Sequence, residues 1–166
     1  MLRKATLEDF ATFKMLFEDK ECRYQWLYYN SSKIDSQNPD SEETSQTGWE
    51  CEEIEEYYNN YTVERFKDDL NTIIIFVEEV DGKVVGYITL DAWSNRAKLM
   101  EWALLDSDDE QMKEQMFSEL LKQRLSRVSV IEISPCDSQA ISWVEAHGFE
   151  KTGPCYYKLQ LSKKGR

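Results

Sequence analysis

Two β-rich runs joined by a turn dipeptide constrain the fold of this chain more than any other feature. Residues 71–93 read NTIIIFVEEVDGKVVGYITLDAW, with an apolar run on each side of Asp81 and Gly82. An Asp-Gly pair between such runs is typical of a type I′ β-hairpin, because both turn residues must adopt a positive φ angle. An isolated hairpin is only marginally stable, so further strands or helices must cover it. The segment therefore predicts an antiparallel sheet at the centre of the fold.

The residues before the hairpin predict a short strand and two helices. LRKAT is followed by LEDFATFKMLFED, where apolar residues recur at helical spacing and Thr6 precedes Asp9 at the capping-box distance. TVERFKDDL predicts a second helix, which begins after the candidate N-cap Thr62. The chain thus enters the hairpin from helices on its N-terminal side.

The residues after the hairpin predict one β–α–β crossover and a final hairpin. AKLMEWALL (97–105) and SVIEIS (129–134) read as strands, and an acidic helix is predicted over 108–126 between them. Strands joined through a helix lie parallel to each other. CDSQAISWVEAHGF predicts a helix capped by Asp137 and ended by Gly148, and EKTGPCYYKLQLS predicts a strand, a turn and a strand. The expected fold is α+β, with helices flanking a mixed, mostly antiparallel sheet.

Length and charge limit the classes of function. The 166 residues fit a single domain, 1–166, with no internal repeat. A formal net charge of −12 argues against a nucleic-acid partner and favours cationic small molecules or basic peptides. The alternative is that this charge only keeps the protein in solution. No apolar run has the length of a membrane span or a signal peptide, so we expect no membrane association and a cytoplasmic location.

Cysteine and histidine usage gives no sign of a metal site. The four cysteines are widely spaced without a Cys-x-x-Cys pair, and the chain has one histidine. Reduced thiols in a cytoplasmic protein are the simplest interpretation of this pattern. We therefore expect no bound metal.

An acidic, aromatic segment spans about 20–62 and is predicted to form an insertion or lid. Between Asp35 and Glu56 it carries many acidic residues and no basic one. Carboxylates and aromatic rings together suit a cationic amine through ion pairing and cation–π contact. The alternative is a solvated acidic lid over an aromatic-lined core. The candidate substrate-binding residues are Trp49, Tyr57, Tyr58 and Tyr61.

Two segments resemble the GNAT superfamily of N-acetyltransferases. FVEEVDGKVVGYITL resembles the central hairpin of that family, and DSQAISWVEAHGFEKTG is similar to its late helix, written N-x-x-A-x-x-x-Y-E-x-x-G-F. In this chain Asp137 takes the place of the Asn, and the matching positions are Ala140, Glu145, Gly148 and Phe149. The resemblance implies a GNAT-like fold and an enzyme that transfers an acetyl group from acetyl-CoA to an amine by direct attack.

The resemblance also implies where acetyl-CoA would bind. In such folds two parallel strands diverge, the pantetheine arm lies between them, and backbone amides of a Q/R-x-x-G-x-G/A loop hold the diphosphate. That loop would fall within 107–117, and the expected cofactor-binding residues are Leu104, Leu105, Gln111, Met112, Lys113, Gln115, Asp137 and Ser138.

The sequence of 107–117 departs from the family pattern, because it contains no glycine. Ser107 to Glu110 instead reads as a capping box whose own side chains satisfy the helix amides, and whose carboxylates repel a diphosphate. Two alternatives stay open: CoA binds weakly or elsewhere, or amides between Gln111 and Gln115 still serve.

The resemblance further implies a general base and a general acid. Glu101, in strand 97–105, lies in the region that supplies a carboxylate base in some members, and burial beside Trp102 would raise its pKa. The alternative is that Glu101 lies on a solvated strand face. The family's usual tyrosine acid corresponds to Val144, so Tyr156 or Tyr157 would have to protonate the thiolate, unless both only pack.

A different class of function is also compatible with these departures. The chain would then be a catalytically inactive GNAT-fold module that recognises a basic ligand or protein partner through its acidic face. Many members of the superfamily dimerise, so the resemblance also makes a homodimer an expectation.

Overall fold

The computed structural model describes residues 1–19, 21–23, 56–135, 138–154 and 156–161. These ranges form one sheet of seven strands with the order β1-β2-β3-β4-β5-β7-β6. The strands are β1 (Leu2–Lys4), β2 (Ile74–Val80), β3 (Lys83–Trp93), β4 (Arg96–Leu104), β5 (Val130–Ile133), β6 (Glu150–Gly153) and β7 (Tyr156–Gln160). The helices are α1 (Phe10–Glu18), α2 (Val63–Thr72), α3 (Glu110–Lys122) and α4 (Ser138–Ala146), and a 3-10 turn covers Leu7–Asp9.

The central hairpin forms as the sequence predicts. Asp81 and Gly82 have φ angles of 52° and 77°, as a type I′ turn requires. β2 and β3 pair antiparallel on either side of this turn. β4 pairs antiparallel with β3 and parallel with β5, which confirms the predicted crossover through α3. The predicted α+β fold with a mostly antiparallel sheet is therefore confirmed.

Helices cover both faces of the sheet, and each face has its own apolar core. We call the first the α1/α2 core; it packs Phe13, Leu16, Phe17, Phe66, Ile75, Val77, Tyr87 and Ala103 together. We call the second the α3/α4 core; it packs Phe76, Ile88, Leu99, Trp102, Met116, Phe117, Leu120, Val144 and Tyr157 together. The three-layer arrangement places every strand residue on one side or the other according to its alternation.

Two boundaries of the acidic helix differ from the prediction. α3 begins at Glu110 rather than at 108, because Asp109 is its N-cap and accepts a hydrogen bond from the Met112 amide at 2.9 Å. The capping box predicted from Ser107 is therefore wrong. The helix ends at Lys122 rather than at 126, while Leu125 is still buried in the α3/α4 core. No helix within the described ranges is long and apolar enough to cross a membrane.

Gly86 allows β3 and β4 to approach closely. A Cβ atom added there would lie 2.6 Å from the Ala103 carbonyl oxygen and 2.8 Å from Leu104 Cδ2. We expect Gly86→Ala to lower the free energy of unfolding by roughly 1–3 kcal/mol, because the contacted carbonyl belongs to the paired backbone and cannot move aside. Urea denaturation measures this loss. Gly153→Ala is the matched control, since its nearest neighbour is Tyr156 Cδ2 at 3.6 Å; equal losses in the two variants would contradict the steric argument.

Candidate active site

A β-bulge in β4 decides which way the candidate base points. The β3–β4 register skips one residue, so Met100 opposes no residue of β3. Before the bulge Ala97 and Leu99 face the α3/α4 core, and after it Trp102 faces the same core. One extra residue reverses the alternation of a strand. Glu101 therefore points to the α1/α2 side of the sheet.

Glu101 is buried among three tyrosine hydroxyl groups. The hydroxyls of Tyr57 and Tyr58 each donate to Glu101 Oε1 at 3.3 Å, and the Tyr87 hydroxyl donates to Oε2 at 3.3 Å. Only 4% of the residue is exposed. Burial raises the pKa of the Glu101 carboxyl to about 7, although the tyrosine hydrogen bonds and the charge of Arg23 oppose the rise. A carboxyl group with this pKa exchanges protons at neutral pH.

Two expectations about Glu101 need correction. Trp102 does not bury it, because the two side chains lie on opposite faces of the sheet. The alternative that Glu101 lies on a solvated strand face is also wrong, since the carboxyl is enclosed by tyrosines. Tyr87 was missed from the sequence, where it reads as one of many apolar positions in the hairpin. Its contact with Glu101 follows from the bulge in β4, and no glycine or proline near Met100 predicts that bulge.

Two of the predicted amine-binding tyrosines, Tyr57 and Tyr58, contact Glu101, whereas the Tyr61 hydroxyl donates to Asp69. The ring faces of all three contact arginines of the chain. The Arg65 guanidinium lies 4.4 Å from the ring centre of Tyr57 and 4.7 Å from that of Tyr61. The Arg23 guanidinium lies 3.8 Å from the ring centre of Tyr58. In this arrangement the hydroxyl groups of Tyr57 and Tyr58, rather than their ring faces, are directed at the carboxylate.

β4 and β5 diverge beyond their first three residue pairs. Within the described residues the parallel pairing joins 96–98 to 130–132, and β4 continues to Leu104 without β5 beside it. This geometry matches the divergence that the family resemblance implies. Glu101 lies on the part of β4 that extends past the last paired residue. The candidate base is therefore next to an opening between two strands.

A backbone amide of β4 faces this opening. The Leu105 amide donates to Val85 of β3 at 2.8 Å, so the adjacent Leu104 amide points away from β3. The Leu104 amide donates instead to the Cys22 carbonyl oxygen at 2.8 Å. Arg23 and Ala103 form a single antiparallel bridge beside this bond. The edge of β4 at the opening thus pairs with the turn at residues 21–23, through one hydrogen bond and one isolated bridge.

The start of α3 satisfies most of its own amides. Five amides between Asp108 and Lys113 donate to oxygen atoms of the chain at 2.9–3.1 Å. The acceptors are the carbonyl oxygens of Asp106, Asp108 and Asp109 and the side-chain oxygens of Asp106 and Asp109. A diphosphate requires free amides or cations in this position. The described residues at the start of α3 do not fit that group.

The other predicted cofactor-binding residues of α3 and α4 have separate environments. Lys113 is 4% exposed, and its ammonium lies 4.9 Å from the ring centre of Trp143 and 3.9 Å from the Glu110 carboxylate. Met112 packs against the α3/α4 core. The exposed predicted residues are Leu105, Gln111, Gln115 and Ser138. The cation nearest in sequence to the start of α3 is thus buried against a tryptophan ring.

The two candidate acids lie on different faces of the sheet. Tyr157 is buried in the α3/α4 core, and its hydroxyl donates to Glu145 Oε1 at 3.4 Å. The structure does not bring Tyr157 to Glu101. Tyr156 alternates to the face of Glu101 and is 54% exposed. Val144, at the position of the family's tyrosine, is fully buried.

Some predicted site residues lie outside the described ranges. They are Trp49, Asp137 and most of the segment 20–62. Within the described ranges, no group of three or more His, Cys, Asp or Glu side chains is placed to hold a metal ion.

No protein-family model matches the sequence, and no curated protein matches it. Solved structures do match the fold. A PaiA N-acetyltransferase from Thermoplasma acidophilum in complex with coenzyme A is 16% identical, with a TM-score of 0.64 over 96% of this chain and 98% of that one.

Two further solved structures match the fold of this chain. A spermidine N-acetyltransferase from Vibrio cholerae is 15% identical, with a TM-score of 0.57 over 98% of this chain and 94% of that one. A ribosomal-protein-alanine N-acetyltransferase from Brucella melitensis is 16% identical, with a TM-score of 0.53 over 97% and 99%. The chain therefore has the fold of the GNAT N-acetyltransferases.

Proposed function

We propose that this protein is an N-acetyltransferase that moves an acetyl group from acetyl-CoA to a cationic amine, with Glu101 as the general base. The observation that carries the proposal is the Glu101 carboxyl itself. It is buried beside the opening between β4 and β5, contacts three tyrosine hydroxyls and has a pKa of about 7. A base of this strength, next to the divergence of β4 and β5, is suited to take a proton from an ammonium group.

The reaction needs the neutral amine, since an ammonium has no lone pair. The Glu101 carboxylate accepts the proton of the bound ammonium, and the amine nitrogen then attacks the carbonyl carbon of the thioester. A C–N bond forms and the C–S bond breaks, so the electron pair of that bond leaves on the thiolate. The thiolate takes up a proton, and the nitrogen loses one as the amide forms. Tyr156 is the proposed proton donor, because it shares the face of Glu101 and is exposed.

The acceptor is proposed to be a primary amine that carries further positive charge. The net charge of −12 attracts such molecules and raises the rate of encounter. Among the structural neighbours, one is a spermidine N-acetyltransferase and another a ribosomal-protein-alanine N-acetyltransferase. Polyamines and basic peptides with a free N-terminus are therefore the two classes of acceptor to test.

Incubation of the protein with acetyl-CoA and each acceptor class tests the proposal. We expect release of free thiol together with an acetylated amine in the mass spectrum. At saturating substrates kcat should rise with pH and level off above a pKa of about 7, because only the ionised Glu101 accepts a proton. A boiled sample is the control for non-enzymatic acetylation. Absence of any acetylated amine across both classes would contradict the proposal and favour the non-catalytic binding module.

A further inference from the structure

We propose that this protein recognises its acyl donor through the pantetheine arm alone and that the nucleotide diphosphate of CoA adds no affinity. The inference rests on the proposed acetyltransferase function and specifies its donor. Two independent observations carry it. One is the start of α3, where most amides have acceptors within the chain and three carboxylates are exposed, and the other is the edge of β4, whose Leu104 amide binds a backbone carbonyl of the turn at 21–23.

Most of the hydrogen-bonding capacity at the start of α3 is already used. Asp109 alone satisfies two amides, that of Met112 through its side chain and that of Lys113 through its carbonyl oxygen. Asp106 satisfies the amides of Asp108 and Asp109 in the same two ways. A phosphate oxygen would have to displace these acceptors, and a carboxylate bound to a helix amide is itself stabilised by the helix dipole. Replacement of these acceptors by a phosphate oxygen therefore contributes no net binding free energy.

The charges at this helix start also oppose a diphosphate. Asp106, Asp108 and Glu110 are exposed carboxylates within one turn of the amides. Lys113 is buried, with its ammonium over the ring of Trp143. An approaching diphosphate thus meets three solvent-facing negative charges at this helix start. Like charges within a Debye length repel, and the repulsion weakens as salt is added.

The edge of β4 differs from the start of α3, because its amide binds a neutral backbone carbonyl and not a carboxylate. The Leu104 amide faces the opening between β4 and β5 and binds the Cys22 carbonyl oxygen at 2.8 Å. Beside it, the bridge between Arg23 and Ala103 places one more backbone unit along the strand. The Cys22 carbonyl has the chemistry of an amide carbonyl in a pantetheine arm. An extended arm with two amide groups can take the same position, as a peptide strand does when it adds to a sheet edge.

Binding of the donor then requires exchange of a short contact. Residues 21–23 contact the edge of β4 through an isolated bridge, one backbone hydrogen bond and the Cys22 thiol, which donates to the Leu105 carbonyl oxygen at 3.8 Å. The hydrogen bond contributes little net stability, and moving the buried Cys22 side chain out of the α1/α2 core adds to the cost of the exchange. A pantetheine amide restores the bond to Leu104 after the exchange. The Leu104 amide is therefore hydrogen-bonded both before and after the arm replaces the Cys22 carbonyl.

Titration calorimetry of the full chain with CoA, pantetheine and 3′-phosphoadenosine 5′-diphosphate, the nucleotide part of CoA, tests the proposal directly. We expect CoA and pantetheine to have dissociation constants within about fivefold of each other, and the nucleotide to show no binding. The affinity for CoA should rise with salt relative to that for pantetheine. Binding of CoA more than about thirtyfold tighter than pantetheine, or measurable binding of the nucleotide, would overturn the proposal.

A charge variant tests the electrostatic step. Asp108→Asn with Glu110→Gln removes two carboxylates and leaves the capping residue Asp109 in place. We expect CoA affinity to rise by about three- to tenfold while pantetheine affinity stays the same. The matched control is Glu64→Gln with Asp68→Asn, which removes equal charge from α2 on the other face of the sheet. An unchanged ratio of the two affinities in the α3 variant would contradict the exclusion by charge.

The outcomes separate this inference from the proposed function. Failure of both CoA and pantetheine to bind at millimolar concentration overturns both. Tight, nucleotide-dependent CoA binding with amine acetylation overturns only the inference about the donor. Equal binding of the two ligands without acetylation of any amine supports the recognition of the arm and overturns the transfer reaction. S-acetylpantetheine should also replace acetyl-CoA as donor, with kcat/KM within about fivefold.

Discussion

Replacement of Glu101 by glutamine is expected to lower kcat for acetyl transfer by about 10²- to 10⁴-fold, the usual contribution of a general base. Glutamine keeps the size of the side chain and can still accept a hydrogen bond from Tyr57, Tyr58 or Tyr87, but it cannot accept the ammonium proton. The rise of kcat around pH 7 should disappear in the variant, because the group that titrates there is gone. Steady-state kinetics between pH 5 and about 9 measure both effects.

Two control variants distinguish the loss of a base from a general disturbance. Glu132→Gln changes a carboxylate on the neighbouring strand that pairs with Arg96, and it should leave kcat nearly unchanged. Tyr87→Phe keeps the base but removes a hydrogen bond that lowers the pKa of Glu101. In that variant the rise of kcat should move to higher pH. A Glu101→Gln variant with more than about a third of wild-type kcat would show that another group, or water, takes the proton.

The sequence predicts the architecture well because its strongest signals are local. The turn at Asp81 and Gly82 depends on two residues whose φ angles must be positive, and those two residues are adjacent in the sequence. The crossover from β4 through α3 to β5 follows from the order of elements alone. The cap of α2 at Thr62 likewise depends on a hydrogen bond three residues away, to the Arg65 amide. Each of these features needs only a few consecutive residues.

The site is harder to predict, because it depends on strand alternation over longer distances. Sequence reasoning selected Glu101 but could not tell which face of the sheet it occupies, since the bulge at Met100 has no glycine or proline signal. The same uncertainty affects the tyrosines. Tyr157 and Tyr87 are both buried strand residues, yet only Tyr87 is on the face of Glu101. A shift of one residue in register exchanges the two faces, so the members of a site change completely.

The acidic helix start shows a prediction that was correct in kind and wrong in position. The sequence predicts that the start of α3 is capped by its own side chains, through a capping box from Ser107 to Glu110; the structure has a side-chain cap, but Asp109 rather than Ser107 provides it. Residues 106–109 are Asp, Ser, Asp and Asp, all of which favour the N-cap position. Which of them caps the helix depends on where β4 ends and how Leu105 pairs with Val85. That information is tertiary, so composition alone cannot supply it.

The same Glu101→Gln variant is expected to be more stable than the wild type at pH 8, by roughly 2–3 kcal/mol. The carboxyl has a pKa of about 7 in the folded protein and a usual value of 4.5 in the unfolded chain. Between these values the folded state binds the proton and the unfolded state does not. Stability from this group is therefore fully present below pH 4.5 and is lost as the pH rises through 7. Glutamine is neutral throughout and does not lose it.

Urea denaturation at pH 5 and at pH 8 measures the effect. The difference in free energy of unfolding between variant and wild type is determined at each pH, and the two differences are compared. Other carboxyls titrate as well, among them the buried Glu78, but their contribution is common to variant and wild type and cancels. The gain of the variant over the wild type should therefore be below about 1 kcal/mol at pH 5 and largest at pH 8. Glu132→Gln is the matched control, since it removes a carboxylate that lies near the surface on the neighbouring strand. An equal gain at both pH values would mean that the folded Glu101 carboxyl has an ordinary pKa. Glu101 would then lack the property that suits it to act as a base at neutral pH. The two effects are linked because the burial that lowers the stability of the folded protein also raises the pKa of this carboxyl.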